Sequence, residues 1–422
     1  MARRGLALTR GAVLAVSALG LSACASTDWS RSKWLSQAAT PVAPDSGPKD
    51  LNDPRDLPWL ARVTSGGITV LYPPHAAWGM SSATTMLHVL SVARAVAHEY
   101  GLRDVPLYVA LSACVRSGQA VTPHVRGLVD DLTGEYVDFV AVSVGEGSPP
   151  LFTGRDRGVL DIALILAHEQ THCMLNATAP LVLNTECWFD EGLAELVMVK
   201  TAIRLGDPGV ARTFVGRELQ RIANVGELVV DLPRWRCLLK GSMRANARLK
   251  DGRTRALGPA DRSDPAQIQA YLEDLRALSQ SDELESAEEK RPNLVAVARL
   301  VEEWLALARK PLAADELDVS DGRQEPYALG MALLLELEDS GANLGDVVSR
   351  LRQEQRLLKV PHEWSREAPS VVSSDERVIA TSDELNRILS GLGHLDITML
   401  ARAYPVKRAR ARLEALLRSV KD

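Results

Sequence analysis

Apolar and polar positions change period along the chain. Before residue 150, short alternating runs at 67–72, 105–111 and 136–144 read as strands. Between the first two, Ser81 to Tyr100 places Met86, Leu87, Leu90, Val92, Ala95 and Val96 at helical spacing and closes on Gly101. The stretch 159–167 is apolar almost all round, the pattern of a helix buried through a core. After Arg204 the period is mostly helical, at 210–225, 265–278, 295–308, 382–392 and 398–420. Lys250–Asp264 and Ser279–Pro292 are polar and charged and read as linkers or solvated faces, as does the basic charge of the last helix. The fold class expected is α+β, a small mixed sheet with helices followed by a mostly helical C-terminal region.

The first residues follow another logic. Met1 to Arg10 is a positively charged segment, 11–20 is a short apolar run, and Leu21-Ser22-Ala23-Cys24 ends it. The run is too short to cross a membrane as a helix. The order of segments resembles a bacterial lipoprotein signal, which implies cleavage before Cys24 and a lipid on that residue; an ordinary secretory signal cut near Ala23 or Ala25 is the alternative. The resemblance implies an exported cell-envelope lipoprotein, at the outer membrane facing the periplasm if the cell is Gram-negative. Residues 24–58, with Pro41, Pro44, Pro48 and Pro54, read as a flexible tether.

Composition narrows the partners. Of 422 residues, 24% are charged and 46% hydrophobic, with a net charge of −5, and no basic stripe with interleaved aromatics is present. Nucleic acid is therefore not an expected partner. Export would place Cys114, Cys173, Cys187 and Cys237 in an oxidising compartment. A Cys173–Cys187 bridge would clamp two neighbouring elements; buried thiols are the alternative.

Candidate chemistry concentrates at the end of the apolar run. His168 and His172 are four apart, so a helix stacks them on one face where two imidazoles can meet one metal ion. Glu169 lies beside the first, in the HExxH arrangement in which such a Glu serves as general base. Histidines and a carboxylate in an apolar helix are costly unless a metal pairs them. A catalytic zinc commonly takes three protein ligands and leaves a position open. The segment Trp188-Phe-Asp-Glu191-Gly-Leu-Ala-Glu195 follows closely, with eighteen residues between His172 and Glu191, and offers the third.

HExxH-x18-E followed by Gly and Ala resembles the gluzincin zinc peptidases, and 188–194 resembles the W-x-N-E-G-x-A of their aminopeptidase-N-like group, with Asp190 where that group often has Asn. The resemblance implies a zincin-like catalytic domain holding one zinc per chain on His168, His172 and Glu191. It implies that Glu195 orients a ligand histidine; a solvated helix face is the other reading. Further on, Pro326-Tyr327-Ala-Leu-Gly330 resembles the P-Y-x-x-G helix of the same peptidases, whose Tyr stabilises the oxyanion; otherwise Tyr327 simply starts an amphipathic helix. In that family the strand just before the HExxH helix is the sheet edge that pairs with extended substrate, which here is 136–144. The G-x-M-E-N segment that binds a free amino terminus is replaced by Ser143-Val-Gly-Glu146-Gly, which reads better as a turn. That favours internal cleavage over removal of terminal residues.

The expected layout is a signal peptide at 1–23, the tether at 24–58, a zincin-like portion with the zinc site at 59–205, a helical portion completing the cleft at 206–360, and C-terminal helices at 361–422. The expected activity is zinc-dependent hydrolysis of a peptide or protein substrate by a membrane-anchored metallopeptidase. Its rival is a non-proteolytic zinc-containing scaffold lipoprotein. The remaining histidines, His75, His88, His98, His124, His362 and His394, read as surface or structural.

Overall fold

A computed structural model of the chain describes residues 61–72, 79–105, 107–112, 124–129, 136–143, 156–178, 187–234, 245–258, 264–284, parts of 294–317, 324–353, 357–359, 376–378 and 382–420. The expected signal and tether, Cys24, Cys114, Cys237, Glu146 and the side chain of Cys187 lie outside them.

The first strand, β1 (Ala61–Ser65), pairs antiparallel with β2 (Ile68–Tyr72) through Gly66 and Gly67. Both glycines have positive φ, +55° and +77°, as the tight two-residue hairpin turn requires. Every residue of β2 is buried. Helix α1 (Gly79–Glu99) then crosses to β3 (Leu107–Ser112), which runs parallel to β2. From α1, Arg94 donates to the carbonyls of Gly66 and Val105, tying the hairpin to the approach to β3. The buried face of α1 is carried by Met86, Val89, Leu90, Ala93, Val96 and Ala97; Ala95, expected inside, is exposed and Val92 only half-buried.

Strand β5 (Tyr136–Ser143) pairs parallel with β3 on one side and antiparallel with β4 (His124–Val129) on the other. The sheet order is β1-β2-β3-β5-β4. This corrects the expectation for 136–144: the strand before the histidine helix is interior, and among the described residues β4 is the edge. The apolar run of β5 suits a strand with neighbours on both sides, while β4 carries Arg126 and Gly127, which hid it in the sequence.

Helices follow. Helix α2 (Asp156–Thr178) packs against α1 and the β4–β5 end of the sheet. Helix α3 (Cys187–Arg204) lies at the centre, against α1, α2, α4 (Pro208–Ile222) and the later α6. Asp207 caps α4 by accepting from the Gly209 and Val210 amides. Next come β6 (Val229–Val230), the hairpin β7 (Ala245–Arg248) with β8 (Thr254–Leu257), and α5 (Pro265–Gln280). The hairpin corrects the reading of Lys250–Asp264 as a linker, since β8 lies inside it.

Helix α6 (Glu325–Asp339) is followed by α7 (Leu344–Gln353), the pair β9 (Leu357–Lys359) and β10 (Glu376–Val378), and α8 (Ser382–Gly391). The expected helix over 398–420 is divided. Helix α9 (Leu395–Ala401) ends before β11 (Tyr404–Pro405), where Tyr404 and Pro405 pair with Val230 and Val229, and α10 (Val406–Ser419) starts afresh. Proline cannot donate within a helix, which explains the break. Nor is the basic charge of α10 a solvated face throughout. Arg408 binds Glu336, Arg410 donates to the carbonyls of Ile222, Ala223 and Gly226 at the end of α4, and Arg412 binds Asp339.

A hydrophobic core joins residues from Ile68 to Val420, with the buried face of α5 (Ile268, Tyr271, Leu272, Leu275, Leu278) lying outside it, and the described chain is α+β with helices predominating. No described helix is long and apolar enough to cross a membrane.

Candidate metal centre

Two glycines decide how closely the site's elements meet. A Cβ on Gly192 of α3 would lie 2.6 Å from the Gly330 carbonyl carbon of α6, and one on Gly330 would lie 2.2 Å from the Trp188 oxygen. The backbones of α3 and α6 therefore touch, which draws the first turn of α6, with Tyr327, over the start of α3, with Glu191.

His168 and His172 stand one turn apart on α2, both largely buried, with ring centroids 4.6 Å apart. Their Nε2 atoms are 2.9 Å from each other and lie 3.2 and 3.3 Å from Glu191 Oε2. These three residues form a group that could hold a metal ion, the only one of its kind among the described residues. Ligand atoms about 2.0–2.1 Å from a common tetrahedral ion stand roughly 3.3 Å from one another, so the spacing fits.

The opposite side of each ring faces a carboxylate. His172 Nδ1 is 2.8 Å from Asp190 Oδ1, and His168 Nδ1 is 3.6 Å from Glu195 Oε1. A carboxylate facing Nδ1 favours the tautomer with its proton there, which leaves Nε2 as a lone-pair acceptor. Two such acceptors and a carboxylate oxygen then converge on one point, an arrangement that a cation satisfies and that repels itself otherwise. Without a cation, protons take its place. Burial pulls the pKa of His172 down, but Asp190 and Glu191 more than offset it and hold it well above 6.5. His168 is raised in the same way by Glu191 and Glu195 against the effect of burial. Burial opposes ionisation of Glu191 too, yet the two imidazoles keep its pKa well below the ordinary carboxylate range.

Glu169 is half-buried next to the pair, and burial raises its pKa against the pull of both histidines. The Tyr327 ring lies 6.2 Å from that of His168, and its hydroxyl donates to Glu191; burial and that carboxylate push its pKa up. Behind Glu195 stands Arg221 of α4, whose Nη1 donates to Glu195 at 2.7 Å and to both oxygens of Glu218 at 2.8 Å. Burial, and then the Glu195 charge, push Glu218 up to about 8.

The structure thus gathers Glu169, Glu191, Glu195 and Tyr327 around the histidine pair. Cys173 is buried at the foot of α2, and its suggested partner's side chain is outside the described residues. His98 lies 2.8 Å from Asp104, away from the site. Sequence reasoning missed three members: Asp190, Arg221 and Glu218. Only Glu218 left a signal, a carboxylate on the stripe Val210, Phe214, Ile222 that α4 buries. No protein-family model, curated protein or solved structure matches the chain.

Proposed function

We propose that the protein is a zinc-dependent metallopeptidase of gluzincin type, with a zincin-like catalytic portion, which cleaves peptide bonds internally. The observation that carries the reading is the meeting of three distant segments in one buried cluster: the histidines of α2, Glu191 of α3 and Tyr327 of α6. His168, His172 and Glu191 would hold the ion through two nitrogens and one oxygen, a donor set suited to a catalytic zinc. A zinc ion there supplies Lewis-acid activation of water and polarisation of a carbonyl.

The chain's own residues do the rest. Glu169, beside the histidine pair, accepts the proton of the attacking water and passes it to the leaving amine. Tyr327, kept neutral by burial, donates to the oxyanion as charge develops on the former carbonyl oxygen. Asp190 and Glu195 fix the imidazoles from behind. Strand β4, the edge of the sheet among the described residues and packed against α2, is where an extended peptide can add as a further strand. With the lipoprotein-like N-terminus, the reading assigns this activity to an exported, membrane-anchored protein at the cell envelope.

The test is digestion of a mixed peptide library by the zinc-supplied protein and by Glu169→Gln. Internal cuts should vanish in the variant while one zinc per chain stays bound. Cleavage retained by Glu169→Gln would overturn the mechanism, and release of terminal residues alone would overturn the internal mode.

A further inference from the structure

The Glu195 carboxylate is 2% exposed and faces His168 Nδ1 through one oxygen, while its second oxygen has no hydrogen-bond partner among the described residues. Among the described residues nothing on that second side holds its rotation. What holds it is Arg221 Nη1 at 2.7 Å, bound to the same oxygen, Oε1, that faces the histidine. We propose that Arg221 is a positioning residue for the metal centre, setting through Glu195 the angle at which His168 presents its Nε2. The inference rests on the metallopeptidase reading above.

Arg221 is itself fixed on three sides. Glu218, one turn earlier on α4, takes the guanidinium with both carboxylate oxygens at 2.8 Å. Tyr327 lies beneath it, with the guanidinium carbon 5.4 Å from the ring centroid. Glu195 is the third side. Each contact comes from a different helix, so Arg221 joins α3, α4 and α6 at the back of the site.

The chemistry calls for arginine rather than a point charge. A planar guanidinium can face an aromatic ring while its edge meets carboxylates, whereas a lysine ammonium cannot do both. Remove the guanidinium, and Glu195 and Glu218 face each other as two buried acids. Without that donor Glu195 is free to turn away from His168, and at 3.6 Å the contact has little to spare. The effect should therefore be felt at the ligand rather than in the fold.

The test uses the full chain, stripped of metal and titrated with Zn2+ against a chromophoric chelator, and with Co2+ read by its visible absorption bands. Arg221→Lys keeps the charge and loses the fork. It should weaken zinc binding by about tenfold, the low end for a residue supporting a ligand, and should shift the cobalt bands, with thermal unfolding still cooperative. Arg253→Lys, at an exposed pair with Asp251 outside the site, should bind zinc as the unaltered protein does. Unaltered zinc affinity and cobalt bands in Arg221→Lys would overturn the proposal. If that variant does not fold, Glu195→Gln decides: a comparable loss of affinity upholds the relay, and unaltered affinity overturns it. Failure of the unsubstituted protein to bind one zinc per chain would instead overturn the metal centre itself, and is read before any variant is made.

Discussion

The two ends of α6 are built on opposite electrostatic plans. At its far end every carboxylate meets a cation or a hydroxyl. Glu336 takes Tyr404 and Arg408, Glu338 takes Lys200 and Tyr100, and Asp339 takes Arg412. At its near end Glu169, Asp190, Glu191, Glu195 and Glu218 crowd around two imidazoles and Arg221. The first end is complete as a protein, held by the chain's own charges. The second carries more acid than the chain's own cations offset. Buried acid of that kind is tolerated where a site has work to do, and the comparison singles out the near end as the place where an external cation belongs.

The sharpest way to break the contrast is to remove a ligand. Glu191→Gln should abolish zinc binding, measured as metal per chain after gel filtration, and with it any peptide cleavage. Retention of one zinc per chain would place the ion elsewhere. Next in size is Gly330→Ala, whose new methyl would sit 2.2 Å from the Trp188 carbonyl oxygen. Two helix backbones must separate to admit it, at a cost of about 3 kcal/mol, the upper end for overpacking a core. Denaturant unfolding should report that loss. Zinc affinity should hold better than turnover, since the variant moves Tyr327 and leaves the ligands on α2 and α3. An unchanged unfolding midpoint would mean that the crossing is looser than its geometry.

What is legible in the sequence follows from range. His168, Glu169 and His172 are linked by the helical period, and Glu191 and Tyr327 lie in segments that resemble known peptidases, so the amino-acid order alone points to all five. The long strands and helices are legible because their periodicity is local. The β4 edge is not, since a short strand bearing Arg126 and Gly127 has no clear alternation. The break at Pro405 is masked by apolar spacing that runs on through it. Arg221 and Asp190 leave nothing from which a role can be assigned. An ion pair or a hydrogen bond across elements has no period, and Asp190 shows in the sequence only as an acid where the resembled pattern has Asn.

The far end supplies the control. Glu336→Gln removes the negative charge shared by Arg408 and Tyr404, for an expected loss of about 1.5–3 kcal/mol, the range for hydrogen bonds to charged groups. Zinc affinity should be unchanged, because none of these groups reaches the ligands. A parallel loss of zinc binding would show that the two ends of α6 are coupled and would undo the comparison.

The smallest effect is the pH dependence, and its sign separates the ends most cleanly. In the metal-free protein His168 and His172 hold their protons above 6.5, so the folded state binds more protons than the unfolded one there. Their contribution is fully present below about pH 6.5 and is lost as pH rises through the raised folded values. Glu218 acts in the same direction, keeping to about pH 8 a proton that it would release near 4.5 when unfolded. Glu191, with its pKa lowered, contributes above 4.5 and loses that contribution only as pH falls through its folded value. Metal-free protein should therefore lose stability between about pH 6 and 8. Zinc should do the opposite over that window, because its ligands must be unprotonated and binding releases their protons. Thermal unfolding at several pH values, with chelator and with zinc, measures both slopes. Opposite slopes are expected in the unsubstituted protein and in Glu336→Gln alike, whereas Glu191→Gln should show no zinc-dependent slope. Parallel slopes with and without zinc would mean that the protons and the ion do not compete for the same atoms.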